Sequence, residues 1–257
     1  MNQFTRAHKR ISLTVKAFGE RDTEMRMRKK RHLEERMEKC GTVCLGWLPD
    51  YIAEQRERPM TRPFDVKTVF GNENPVQLEI GCGKGRFIQQ MAEENPNINF
   101  IALEQTPNVL ITAMERTMES GIKNLRYYAG KAEYLEKIFA SGSVEMIYLN
   151  FSCPYPKESY AKHRLTHPVF LKIYRSILKE GGCIKQKTDN RRLFEFSIEN
   201  FSQNGFSLRN VSLDLHNSKI TGNIMTEYEE RFTQMGLPIF YLEAYPENFS
   251  NKVFTFK

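Results

Sequence analysis

Short apolar runs alternate with helical stretches from residue 76 to residue 244, which predicts a doubly wound, mostly parallel, seven-stranded α/β sheet of Rossmann-like form. Three observations carry that expectation. Val76, Leu78 and Ile80 run straight into glycines at 81, 83 and 85, and Arg86 to Ala92 then reads as a helix, giving a strand, a tight turn and a helix in succession. A second apolar run, Phe100-Ile101-Ala102-Leu103, ends in an acidic residue, Glu104, at the offset where such folds hold a ribose. The same alternation then continues downstream.

Taken in order, strands are expected near 76–80, 98–103, 124–128 and 144–151, with helices near 84–94, 107–120 and 132–140 between them. A helix near 166–179 precedes Gly181-Gly182 and a strand near 183–188. Another helix at 190–203 leads to strands near 206–213 and 238–244, set around a short helix at 226–235. Ahead of this domain, assigned to 76–257, residues 1–36 read as a basic arm whose run from Met25 is helical. Residues 37–75, punctuated by Gly41, Gly46, Pro49, Pro59, Pro63, Gly71 and Pro75, read as a loop-rich lead-in.

Composition narrows the function classes. Forty per cent apolar and 27% charged residues belong to an ordinary globular chain, and no apolar run approaches the length of a membrane span. No secretory signal is visible, and the five cysteines (40, 44, 82, 153 and 183) are scattered without a CxxC pair, so a reducing cytoplasm and no metal are expected. The charge is concentrated: residues 1–36 carry eleven Lys/Arg against five Asp/Glu, a net +6 of the chain's +7. A basic arm beside a near-neutral domain suits a polyanionic partner, or is a solvated tail.

The corner itself selects among nucleotides. Arg86 occupies the third glycine position of a dinucleotide fingerprint, and Glu79 puts a carboxylate inside the strand. That charge would repel a pyrophosphate and would suit a ligand carrying an ammonium and a sulfonium, which favours S-adenosylmethionine over a nicotinamide cofactor. The loops following strands four to six, Ser152-Cys153-Pro154-Tyr155-Pro156-Lys157, Lys187-Thr188-Asp189-Asn190 and Asn223 to Glu229, are all expected around the same crevice.

Read together, these stretches resemble bacterial tRNA (guanine-N7)-methyltransferases, which act on guanine 46, over the chain from Met25 to about Tyr245. The resemblance rests on Met25-Arg26-Met27-Arg28-Lys29-Lys30, on Thr68 to Pro75 leading into Glu79 to Gly85, and on Leu149 to Ser152 with Pro154, Pro156 and Lys157. Lys187 to Asn190, and Ser212 to Ser218 with Thr226 to Glu229, complete it. It implies a class I fold using S-adenosylmethionine, with tRNA as partner and no membrane, and leaves monomer or homodimer open. It assigns Glu79, Gly81, Gly83, Gly85, Glu104, Lys131 and Cys153 to the methyl donor. Lys157, Asp189, Thr226, Glu227, Tyr228 and Glu229 go to the target nucleotide, with Asp189, Glu227 and Glu229 as acceptors for its N–H groups. Cys153 stands where the family carries its catalytic Asp, and Lys131 where it carries the Asp for the adenine amino group. A thiol is a weak acceptor and an ammonium none. The departures therefore leave two alternatives: a weakened or inactive relative that binds RNA, and a methyltransferase with another substrate.

Overall fold

The computed structural model describes residues 29–45 and 63–247, so most of the basic arm and the middle of the lead-in lie outside the described residues. In chain order its elements are α1 (Leu33–Lys39), β1 (Cys44–Leu45), α2 (Val66–Phe70), β2 (Val76–Ile80), α3 (Arg86–Glu94), β3 (Asn99–Glu104), α4 (Pro107–Ser120) and β4 (Leu125–Ala129). There follow α5 (Leu135–Ile138), β5 (Val144–Asn150), α6 (Pro168–Ile177), β6 (Leu178–Thr188), α7 (Arg191–Gln203), β7 (Phe206–Ser212), α8 (Glu227–Gln234) and β8 (Phe240–Pro246). The strands form one sheet in the order β1-β4-β3-β2-β5-β6-β8-β7. All neighbours run parallel except β8, which is antiparallel to both β6 and β7. From β2 the chain builds leftward through β3 and β4, then returns to β5, so the topological switch point lies between β2 and β5.

Strand β2 is buried along its whole length because both of its faces are covered. Val76, Leu78 and Ile80 join Ile101, Leu103, Ile147 and Leu149 beneath α5, α6 and α7. On the other face Phe100, Ala102, Tyr127 and Tyr148 pack under α1, α3 and α4. The helix ends follow local chemistry. Pro107 opens α4 and Gly121, in left-handed geometry, ends it, while the Asn190 side chain accepts from the Leu193 N–H to cap α7.

Three differences from the sequence reading have physical causes. The seven expected strands form, and the two-residue β1 adds an eighth beside β4. The lead-in is not simply loop: Leu33 and Met37, one helical turn apart, pack with Cys40, Val43 and Cys44 against Leu110 and Met114. Arg36 makes a two-pronged contact to Glu115 at 2.6 and 2.7 Å, so residues 33–36 belong with the α/β domain rather than with the arm. Finally, Gly181-Gly182 lies within strand β6 rather than before it. Gly181 takes a positive φ of 74°, and a Cβ on Gly182 would sit 2.8 Å from the Glu145 carbonyl, so the strand crosses there only as glycine.

Gly85 is the tightest point of the corner: its φ is +82° and a Cβ would lie 2.7 Å from Cβ of Ala113. Gly81 shares that φ but faces open space. We expect Gly81→Ala to cost about 1 kcal/mol from backbone strain alone, and Gly85→Ala about 1–3 kcal/mol more from forcing α3 and α4 apart. Urea unfolding midpoints of the two variants check the ranking.

Candidate active site

The carboxyl ends of β2, β3, β5 and β6 converge on one crevice at the switch point, and strand geometry decides which side chains reach it. Glu79, on β2, is 2% exposed. Its Oε1 accepts a hydrogen bond from Nδ2 of Asn150, on neighbouring β5, at 2.9 Å. Its Oε2 is buried with no partner among the described residues. Burial pushes this carboxyl up to about 7, opposed by the Asn150 hydrogen bond and by the positive charge of Lys187 and reinforced by Glu104. An unpaired buried oxygen of this kind is an acceptor waiting for a cationic donor.

Above it the chain turns through Gly81, Gly83 and Gly85, all at positive φ. Glu104 braces the turn, accepting from the Gly83 N–H at 3.2 Å through Oε2 and from the Thr106 N–H at 2.9 Å through Oε1. An ionised carboxylate has lone pairs left for hydroxyl donors after two such bonds. Lys131 is exposed at the start of the 3-10 turn after β4, beside Gly130, whose N–H donates to the Glu104 carbonyl. The methyl-donor residues named from the sequence, Cys153 apart, thus fall along the ends of β2, β3 and β4.

Cys153 is exposed on the loop after β5. That loop is held in an uncommon shape, with Phe151 at φ 51° and Tyr155 at φ 42°. Two residues, Lys187 and Arg164, hold it there. The Phe151 N–H donates to the Lys187 carbonyl at 2.8 Å. Arg164, buried over the Phe196 ring at 4.5 Å, donates through Nε to the Pro154 carbonyl at 3.1 Å and through Nη2 to the Tyr155 carbonyl at 3.1 Å. Lys157 stands exposed at the end of the loop.

Asp189, just past β6, is partly buried, and burial pushes its carboxyl up against a lowering by backbone hydrogen bonding. The four residues Thr226 to Glu229 play three different parts. Thr226 and Glu229 form a capping box on α8: the Thr226 hydroxyl accepts from the Glu229 N–H at 3.0 Å and Glu229 Oε2 from the Thr226 N–H at 3.3 Å. Glu229 is 0% exposed, and its oxygens also accept from Lys187 Nζ at 2.6 Å and Asn223 Nδ2 at 2.5 Å, with His216 Nε2 lying 3.2 Å away. This corrects the reading of Glu229 as an acceptor for a base: its carboxylate is consumed inside the protein. Glu227 is outward, 3.4 Å from Arg116 and 4.0 Å from Lys84 in the glycine turn. Tyr228 is 61% exposed and stacks with Phe151, ring centres 6.4 Å apart and planes 20° apart.

Sequence reasoning passed over Asn150, Arg164 and Lys187 as site residues. Lys187 had a signal: it is a charged residue at the end of an otherwise buried strand. Asn150 lies in a stretch that carries the resemblance, but its role, like that of Arg164, depends on distant partners: a carboxylate 71 positions away and two carbonyls on a bent loop. Among the described residues no cluster of His, Cys, Asp or Glu has the geometry of a metal site, and no helix is long and apolar enough to cross a membrane.

Comparison with known proteins places this geometry. A family model described as "Putative methyltransferase" matches residues 73–242. The tRNA (guanine-N(7)-)-methyltransferase of Bacillus subtilis (strain 168) is 46% identical over 202 residues, 77% of this chain and 95% of that protein. Its counterpart in Listeria monocytogenes serotype 4b is 46% identical over 220 residues, 86% of this chain and 98% of that protein. Among solved structures, 16S rRNA methyltransferase KamB superposes with a TM-score of 0.55 at 14% identity, covering 72% of this chain and 96% of that one, a likeness of fold.

The raised Glu79 carboxyl has a measurable sign. With its folded pKa of about 7 above the ordinary 4.5, protonation favours the folded chain. The stabilising contribution is complete below pH 4.5 and is lost as pH rises through 7. Relative to Glu79→Gln, the ligand-free protein is expected to lose roughly 2–3 kcal/mol between pH 5 and pH 8. Parallel urea titrations at the two pH values measure the difference.

Proposed function

The chain belongs to the tRNA (guanine-N7)-methyltransferase family, and we propose that it methylates N7 of guanine in tRNA, at position 46, using S-adenosylmethionine. The observation that carries this reading is 46% identity over nearly the full length of relatives named for that reaction. The site fits the donor: the unpaired Oε2 of Glu79 suits a ligand ammonium, open space over Gly81 and Gly83 admits a ligand against the backbone, and Glu104 suits ribose hydroxyls. Lys131 then sits at the adenine end. When bound, this donor supplies an electrophilic methyl group on a sulfonium.

What the protein's own residues must do follows from the acceptor. Guanine N7 is a bare lone pair, so no base is needed to remove a proton. Alignment therefore carries most of the rate, with acceptors placed where positive charge grows on the purine. Asp189 and Glu227 supply carboxylates on the two loops flanking the crevice, while Tyr228 over Phe151 offers an aromatic face to a base. Lys157, exposed at the end of the bent loop, offers a positive charge to a phosphate. The basic arm before residue 29, outside the described residues, adds sequence-independent affinity for RNA. Such work belongs in the cytoplasm.

Cys153 favours a second reading, a relative that grips RNA with little transfer: its thiol is exposed, and the resemblance puts the family's carboxylate at that position. A hydrogen bond to a charged group is worth roughly 1.5–3 kcal/mol, a factor of about 10–150 in rate. Losing one slows an alignment-driven reaction without silencing it. We expect labelled methyl transfer to N7 of unmodified tRNA by the wild type, a rate at least several-fold higher for Cys153→Asp, and little change for Cys153→Ser. Binding of tRNA without transfer by either the wild type or the Asp variant would favour the second reading. A dead Ser variant beside an active wild type would show the thiol to be chemically engaged.

A further inference from the structure

Lys187 sits where the three parts of the site meet. It lies at the end of β6, its side chain 4% exposed. All three ammonium protons have acceptors on one neighbouring segment: Glu229 Oε2 at 2.6 Å, the Ile224 carbonyl at 2.7 Å and Asn223 Oδ1 at 3.1 Å. The same ammonium lies 4.9 Å from the centre of the Phe87 ring, on the helix that follows the glycine turn, and its charge is felt by Glu79. Its backbone carbonyl holds the Phe151 N–H, the first residue of the bent loop that carries Cys153.

We propose that Lys187 is a positioning residue for methyl transfer, fixing segment 223–229 at a set distance from the donor corner so that Glu227 and Tyr228 face the purine. Stability alone does not call for an ion pair at this place, because well-packed apolar residues generally serve a buried site as well or better. Directionality does: three hydrogen bonds from one fixed nitrogen define where the segment lies, and apolar packing does not. Misplacing a reacting partner by about 1 Å costs on the order of a hundredfold in rate. This inference rests on the methyltransferase reading above and names the part of that site that sets its geometry.

The test compares the full-length wild type with Lys187→Met and with Lys187→Met/Glu229→Gln, the second change relieving the carboxylate stranded by the first. Three measurements are made on each: amide hydrogen exchange, calorimetric affinity for S-adenosylmethionine, and kcat and KM for tRNA. In Lys187→Met, exchange is expected to quicken at 223–230 and stay unchanged at 81–90. Donor affinity should stay within about threefold, and kcat should fall at least tenfold with KM changed less than about threefold. In the double variant the melting temperature should recover while kcat stays low. Full turnover in Lys187→Met, or recovery of kcat together with melting temperature in the double variant, would overturn the proposal. So would uniform loss of exchange protection across the domain. A wild type that transfers no methyl counts against the functional reading instead, and the exchange pattern then still decides whether Lys187 sets the segment.

Discussion

An ion pair sealed from water, Lys187 with Glu229, ties the end of a central strand to the start of α8, and much of the surrounding sequence exists to complete it. Removing charges from water costs several kcal/mol per ion, and their attraction repays this only when every remaining proton and lone pair is satisfied. Asn223, the Ile224 carbonyl and the Thr226 N–H do so here. The capping box of α8 is therefore also one wall of a polar core. Deleting either charge alone leaves the other stranded, at a cost of about 3–5 kcal/mol.

Around this pair the site divides by how it is stabilised. The glycine corner is rigid through close packing and short-range bonds: Gly85 against Ala113, Gly83 and Thr106 against Glu104. The α8 side meets it across exposed charges, Arg86 with Glu230 and both Lys84 and Arg116 with Glu227. Exposed pairs of this kind contribute little each and weaken with salt. The buried lysine holds α8 to the sheet and the rim of exposed pairs holds it to the corner, with very different tolerance to ionic strength.

Much of the fold was legible because it rests on periodicity. The seven main strands, the long helices α4 and α7 and the glycine corner each announce themselves within a dozen residues of sequence. What was not legible depends on distant partners. Leu33 stands in the charged arm and Met37 opens the loop-rich lead-in, and nothing near either in sequence marks their packing on α4. Gly181-Gly182 looked like a break because the close approach of Glu145 is invisible in one dimension. Glu79 stands out in the sequence as a carboxylate inside a strand and Glu104 by its offset, and the structure shows the bonds each makes. Glu229 was found but misread: a family motif gives its place, and only burial reveals that its oxygens are already spent.

The position of β8 has a consequence for how the molecule comes into being. It is the last strand of the described chain, yet it lies inside the sheet, between β6 and β7. A nascent chain emerging from the ribosome can pair β2, β3 and β4 as soon as residue 129 is free, since those contacts are local. Until residue 246 follows, β6 presents an unpaired edge and β7 has no neighbour, and Leu215 lacks Ile239 and Tyr241, with which it forms a small separate core. The small core beneath the crevice wall is accordingly completed late, and during synthesis the chain passes through an interval with an unpaired strand edge in the middle of its future sheet.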